Sequence, residues 1–273
     1  MTHQSVSYNY LSEDFLTRLV AELDKETVRA IILRGSYVRG DAFPPYSDVD
    51  LTIITQDTVK VLPPKYYIWR EGYAVSISTW SIASYRERIQ RPEEAIFAVP
   101  GIQEARILLE KDDAFREFQR DVQQFRWEPL QAAANEYAGQ VMMEQTEIVL
   151  KSLKALHMQD ALLLADVLTL DLLPAVTEAF VVQRGLLIKS GNTYFHQAQE
   201  AAGQHSTWTH YHQIALGIHS DVAPSLVQRS IASLHLFQET AHLLFPFFQR
   251  EHREAIEPLI EKIGHYLASK EIG

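Results

Sequence analysis

The chain of 273 residues contains no cysteine, so it forms neither a disulfide framework nor a thiolate metal site. Zinc ribbons and dithiol redox chemistry are thereby excluded. It also lacks an apolar run of membrane-spanning length. The longest apolar stretch, residues 161–182, is interrupted by Asp166, Asp171, Pro174 and Glu178 and reads as a buried helical region. No Walker loop, Rossmann glycine fingerprint or Ser-His-Asp order is present. Positive charge is in deficit, with 25 Lys and Arg against 35 Asp and Glu and a formal charge of −10. Such a balance disfavours a nucleic-acid partner gripped through many phosphates and suits a small cationic one. Residues 1–125 hold 15 basic and 19 acidic side chains and residues 126–273 hold 10 and 16, so the second half is the more acidic. The segment Met1-Thr2-His3-Gln4-Ser5-Val6-Ser7 has neither the basic region nor the apolar core of a secretion signal, and a cytoplasmic enzyme is expected.

What the sequence does contain is concentrated between residues 33 and 51. Two short β-branched-rich runs, Ala30-Ile31-Ile32-Leu33 and Leu51-Thr52-Ile53-Ile54, read as buried strands. Between them lie Gly35-Ser36, then Arg39-Gly40, then Ser47-Asp48-Val49-Asp50. Side chains two apart on a strand share a face, so Asp48 and Asp50 point the same way with Val49 packed behind them. Like charges that close are costly unless a cation lies between them. Divalent ions that clamp the oxygens of a phosphoryl or nucleotidyl transfer would supply one. The glycine lets the backbone approach a phosphate, and Ser36 adds a hydroxyl donor.

This pattern, hydrophobic-Gly-Ser and then Asp-hydrophobic-Asp, resembles the signature of the DNA polymerase β-like nucleotidyltransferase superfamily. Gly35-Ser36-x-x-x-Gly40 with Ser47-Asp48-Val49-Asp50-Leu51 looks most like the aminoglycoside-modifying members, of kanamycin type. The resemblance implies Mg2+ held by Asp48 and Asp50, with ATP or another NTP contacted by Gly35, Ser36, Arg39 and Ser47. It also implies a short mixed sheet in an α/β domain, followed by an all-α helical bundle that binds the acceptor. Family members usually carry a third carboxylate on the next strand. Here Tyr73-Ala74-Val75-Ser76-Ile77-Ser78 alternates as that strand and offers Ser76 and Ser78 on its polar side. A weakened metal site, a substitute ligand such as Glu71 or Glu136, and nucleotide binding without turnover all follow as alternatives.

The rest of the chain reads as two parts, 1–126 and 127–273, with the boundary at Trp127-Glu128-Pro129. Ser12-Glu13-Asp14 caps a helix in the first part, and helices are also expected after Ser84 and over 112–125. From Leu130 onward the periodicity is helical, with turns at Pro174, Gly191-Asn192, Gly203 and Pro224. The segment Asn135-Glu136-Tyr137-Ala138-Gly139-Gln140 resembles the Glu-Tyr-Ala-Gly-Lys segment of the kanamycin-type enzymes, where the glutamate is regarded as the base for the acceptor hydroxyl. Carried over, Glu136 becomes the candidate base. Gln140 stands where the family has lysine, and Lys154 or Lys151 could replace that phosphate contact. Asp160, Asp171 and Glu178 fall on one side at helical spacing and read as exposed helix carboxylates, the alternative being the lining of a pocket for a cationic ligand; His205, His210, His212 and His219 read as surface or core histidines without metal-ligand spacing. Phe245-Pro246-Phe247-Phe248 reads as packing, either within the bundle or in a homodimer contact. The expected activity is transfer of a nucleoside monophosphate to a hydroxyl of a small polar acceptor docked between the two parts. The rival functions are a nucleotide-binding regulator and an antitoxin-like transferase acting on a protein.

Overall fold

The computed structural model describes residues 11–57, 65–167, 172–218 and 222–271, so Asp171 and His219 lie outside the described residues. The chain divides into two compact units, Met1–Arg126 and Trp127–Gly273.

The first unit is built on a five-stranded mixed sheet of order β3-β4-β2-β1-β5. Its strands are β1 (Val28–Arg34), β2 (Val49–Thr55), β3 (Lys65–Arg70), β4 (Tyr73–Ser81) and β5 (Arg106–Glu110). β2 runs parallel to β4, and every other pairing is antiparallel. α1 (Glu13–Leu23) begins at Ser12, whose hydroxyl accepts the Phe15 amide at 3.1 Å, with Glu13 and Asp14 in the first turn where the helix dipole favours acids. Phe15, Leu16, Leu19 and Leu23 bury against Ile31, Leu33, Val49, Leu51, Val75 and Ile77, the odd-numbered face of the sheet.

The even-numbered face is covered as well, since Ala30, Ile32 and Ile54 are fully buried. A one-turn helix, α2 (Ser36–Arg39), joins β1 to β2, while α3 (Ile82–Arg88) and α4 (Pro92–Gln103) lead from β4 to β5, and α5 (Ala114–Gln123) follows. With both faces covered, the central strands are buried over most of their length, Asp50 being half-buried. Ser76 and Ser78, expected on a polar side, are 2% and 7% exposed.

Two strands go beyond the sequence reading. β3 pairs with β4 through a two-residue hairpin, Glu71-Gly72, in which both residues have positive φ, 50° and 85°. That geometry matches the right-handed twist of a hairpin and usually selects Asn-Gly or Asp-Gly, so a glutamate in the first position hides the turn. β5 is a five-residue edge strand with charged residues at both ends, too short to show a period.

The second unit is helical. It comprises α6 (Gln131–Glu144), α7 (Thr146–Met158), α8 (Ala161–Val167), α9 (Leu173–Gln183), α10 (Tyr194–Ala202), α11 (Thr207–Leu216), α12 (Leu226–Leu244) and α13 (Arg250–Glu271). Pro174 occupies the first turn of α9, where its missing N–H costs nothing, so it starts a helix rather than only ending one. α12 opens on a capping box between Ser225 and Gln228 and buries residues around most of its circumference, among them Leu234, Leu236, Phe237, Ala241 and Leu244. Its Thr240 hydroxyl accepts the Trp208 indole N–H at 2.8 Å. No helix among the described residues is long and apolar enough to cross a membrane.

Candidate active site

The turn after β1 is shaped by one glycine. Gly35 has φ +73°, a region that favours glycine, and a Cβ there would drive into the Oδ2 atom of Asp50. Gly35 therefore does two things: it turns the chain into α2, and it leaves room for a carboxylate arriving on the next strand. Gly40, at φ +80°, ends α2 in the left-handed conformation. The loop that follows is tied by Ser47, whose Oγ accepts the Phe43 amide at 2.7 Å, while the Phe43 and Tyr46 rings stack at 6.0 Å. Asp48 comes next, one residue before β2 begins.

Register places Asp50 in a row of four. Arg34 of β1 pairs with Asp50 of β2, Asp50 with Ser76 of β4, and Ser76 with Tyr67 of β3. This row decides between the two serines. Ser78 pairs with Thr52 and shares a 2.7 Å hydrogen bond with its hydroxyl, so Ser78 fastens two strands, whereas Ser76 is the neighbour of Asp50. Burial and the adjacent charge of Asp48 raise the Asp50 carboxyl above its ordinary value of 3.8; Arg34, Lys65 and a hydrogen bond from Ser76 pull the other way without reversing it. Asp50 is thus a carboxylate short of positive charge. Tyr37 feels the same negative field, its hydroxyl raised by burial, by Tyr73 and by Asp48.

Three side chains of this neighbourhood carried no signal in the sequence. Arg34 follows a hydrophobic run with nothing to mark it, and it passes α4 at Gly101, where a Cβ would lie 3.1 Å from its Nη1. Its Nε is buried without a hydrogen-bond partner. Lys65 and Tyr67 belong to β3, and only the hairpin register brings Tyr67 opposite Ser76 and Lys65 opposite Ser78. A Glu71-Gly72 turn flanked by alternating residues was the available clue.

Other candidates are placed less centrally. Arg39 is ion-paired with Asp41 at 3.2 Å and with Glu104 at 3.8 Å. Glu71 is held by Arg18 of α1 through bonds of 2.9–3.1 Å, and α1 packs on the sheet face opposite Asp50 and Ser76. The structure thus gives Glu71 a partner on α1, which packs on the sheet face away from Ser76.

In the helical unit, Glu136 projects from α6 with its side chain 49% exposed, 3.7 Å from Nε2 of His252 on α13. His252 itself is buried, and its ring fills the space a Cβ on Gly139 would need. The Glu-x-x-Gly spacing of residues 136–139 therefore has a local cause: the glycine admits the imidazole that lies beside the glutamate. No sequence signal marked His252. Gln140 hydrogen-bonds Glu144 at 2.7 Å, Lys151 pairs with Glu147 at 2.7 Å, and Lys154 is exposed on α7. Asp160 caps α8 by accepting the Leu162 and Leu163 amides, and Glu178 accepts the Tyr137 hydroxyl at 2.7 Å. Both carboxylates are structural partners rather than parts of an open acidic pocket. His212 is a core histidine, fully buried between Thr177 and Gln199 at 3.2 and 2.8 Å.

A glycine-turned loop thus brings two carboxylates to the start of a strand in a mixed sheet covered by helices. Residues 16–119 match the family model described as "Nucleotidyltransferase domain". The match lies within the amino-terminal unit, and it supports a transferase. Among solved structures the chain is similar to a nucleotidyltransferase-like protein from Exiguobacterium sibiricum, at 14% identity over 93% of this chain and 87% of that one, with a TM-score of 0.45. No curated protein matches the chain.

Proposed function

We propose that the protein is a magnesium-dependent nucleotidyltransferase that moves a nucleoside monophosphate from an NTP, ATP being the first candidate, to a hydroxyl of a small polar acceptor. The observation that carries this reading is the placement of Asp48 and Asp50 beyond the Gly35 turn, with Asp50 packed into the space that Gly35 leaves free. No cluster of three or more His, Cys, Asp or Glu side chains suited to a metal occurs among the described residues. The proposed donor set is Asp48 and Asp50, two hard oxygen donors suited to a divalent ion. Asp48 and Asp50 would hold such an ion, which would supply positive charge to the triphosphate and its leaving oxygens.

The protein's own groups do the rest. The Ser36 hydroxyl and the amides after Gly35 bind phosphate oxygens, with Ser47 and Arg39 at the same loop and Lys154 on the helical unit as further phosphate contacts. Glu136 accepts the proton of the acceptor hydroxyl. The acceptor oxygen then forms a bond to the α-phosphorus as the bond to the β-phosphate oxygen breaks, and pyrophosphate departs. An aminoglycoside-like acceptor is favoured by the net charge of −10 and by the Gly-Ser and Glu-Tyr-Ala-Gly segments. The test is magnesium-dependent pyrophosphate release across an aminoglycoside panel with each NTP, followed by mass analysis for the nucleotidylated product.

One observation favours a second reading. Ser76 occupies the position beside Asp50 where family members carry a carboxylate, so a regulator that binds nucleotide without turnover is the alternative. Nucleotide binding with no product on any acceptor would select it. A copurifying protein that becomes nucleotidylated would instead identify a protein acceptor.

A further inference from the structure

We infer that Ser76 and Lys65 together replace the third carboxylate, so that the site takes one divalent ion per bound nucleotide and the Lys65 ammonium serves as its fixed second cation. This rests on the nucleotidyltransferase reading above. Alternation along β3 sends Tyr66 and Ile68 into the α1 core and leaves Lys65, Tyr67 and Trp69 on the face that carries Asp50 and Ser76. Tyr67 lies directly across from Ser76, and Lys65 across from Ser78. The Lys65 stem does not run straight out to solvent: its Nζ lies 5.1 Å from the centroid of the Tyr67 ring, folded back toward the row that contains Ser76 and Asp50. Contact with Tyr67, then attraction to Asp50 and Asp48, raises the lysine above its ordinary value, so it is charged at any pH at which the enzyme works.

The charge balance follows from this placement. A carboxylate at position 76, 2% exposed as Ser76 is, would require a cation beside it. The chain carries a neutral hydroxyl there and a lysine on the next strand. A divalent ion on the Ser76 side would have two carboxylates to share with the nucleotide-bound ion and a like charge facing it, whereas an ammonium already there supplies positive potential to the reacting phosphoryl without a metal. Arg34 pairs with Asp50 on its other flank, so the carboxylate feels one cation within its row and a second, Lys65, from the neighbouring row.

Mn2+ tests the idea by electron paramagnetic resonance on the full chain, with an α,β-methylene ATP analogue as the nucleotide. The wild type is expected to bind one Mn2+ per chain with no spin-coupled pair. Lys65→Met is expected to tighten Mn2+ binding without nucleotide by roughly tenfold, because a like charge has been removed. Ser76→Asp alone should still bind one ion, its new carboxylate paired with Lys65, while the double variant Ser76→Asp/Lys65→Met should bind a coupled pair. Two ions in the wild type, or unchanged Mn2+ affinity in Lys65→Met, would overturn the inference. The exposed Lys65 position makes the single variant safe to fold, so the test stands even if aspartate at 76 is not tolerated. A wild type that binds neither Mn2+ nor the analogue would instead sink the nucleotidyltransferase reading itself.

Discussion

Each unit of the protein keeps a titratable group away from water, and the two do so with opposite consequences. In the amino-terminal unit Asp50 is half-buried beside Asp48, and both effects raise its carboxyl. In the helical unit His212 is buried between Thr177 and Gln199 and stacked on Trp208 at 4.7 Å, and burial pushes its imidazole from 6.5 down to about 4. His212 is thus kept neutral, with both ring nitrogens satisfied, and works as a packing element. Asp50 in contrast is left with a deficit of positive charge that Arg34 and Lys65 reduce and do not cancel. A polar group whose needs are met inside the fold is structural, and one whose needs exceed the fold marks where a ligand belongs.

The sharpest way to break that contrast is Asp50→Asn. Under the proposed function Asp50 holds the metal, so its removal should lower nucleotidyl transfer by about 10³-fold or more, a loss of several kcal/mol of transition-state stabilisation. The apo protein should nevertheless become more stable at neutral pH. The sign follows from the raised carboxyl: the folded state binds the Asp50 proton more tightly than the unfolded chain, so the wild type gains stability as pH falls toward that raised value. Thermal melts of apo wild type and Asp50→Asn from neutral to mildly acidic pH should converge on acidification. Parallel curves would show that Asp50 is not the strained group.

Glu136 tests the other unit's share in the chemistry. A positioned base contributes about 10²–10⁴ in rate, so Glu136→Gln should cut single-turnover transfer by that factor with nucleotide affinity preserved. At a half-exposed site the stability change should stay within about 0.5 kcal/mol. Normal single-turnover chemistry in the variant would reduce Glu136 to the partner of His252.

The same contrast explains what could be read from the sequence. β1, β2 and the Asp48–Asp50 pair were legible because a β-branched run, a glycine turn and a two-residue spacing each have one local physical meaning. Arg34, Lys65 and His252 were not, because each acquires its place from pairing partners remote in sequence. Arg34 gains its meaning from register with Asp50, Lys65 from a hairpin with an unusual Glu-Gly turn, and His252 from packing onto Gly139 more than a hundred residues earlier. Ser76 and Ser78 look equivalent as an alternating pair, and only the register tells them apart. The buried pairing of His212 with Gln199 and Thr177 is likewise invisible until α9, α10 and α11 are assembled.

His212 should dominate the acid sensitivity of the helical unit. Its folded value lies below the unfolded one, so its contribution is intact above about 6.5 and is lost as pH falls from there toward 4, with up to about 3 kcal/mol at stake. Urea unfolding followed by tryptophan fluorescence, with Trp208 as the reporter stacked on the ring, should show the midpoint falling across that window. His212→Gln, which keeps a neutral polar group at the site, should flatten the slope. An unchanged slope in a folded variant would place the acid-sensitive group elsewhere.

The smallest expected effect comes from the two serines of β4, and it separates structure from site within one strand. Ser78→Ala deletes the 2.7 Å hydrogen bond to Thr52 and leaves that buried hydroxyl to find another acceptor, which costs about 1–2 kcal/mol of stability. Nothing about Ser78 touches Asp50, so nucleotide and Mn2+ affinity should be unchanged. Ser76→Ala removes the hydroxyl that donates to Asp50, which raises that carboxyl further and should weaken Mn2+ binding by a few-fold at pH 6 more than at pH 8. Melting curves and Mn2+ titrations on the two variants give a crossed pattern, stability lost in one and metal affinity in the other. If both serines behaved alike, the register that sets Ser76 opposite Asp50 would have no bearing on the site.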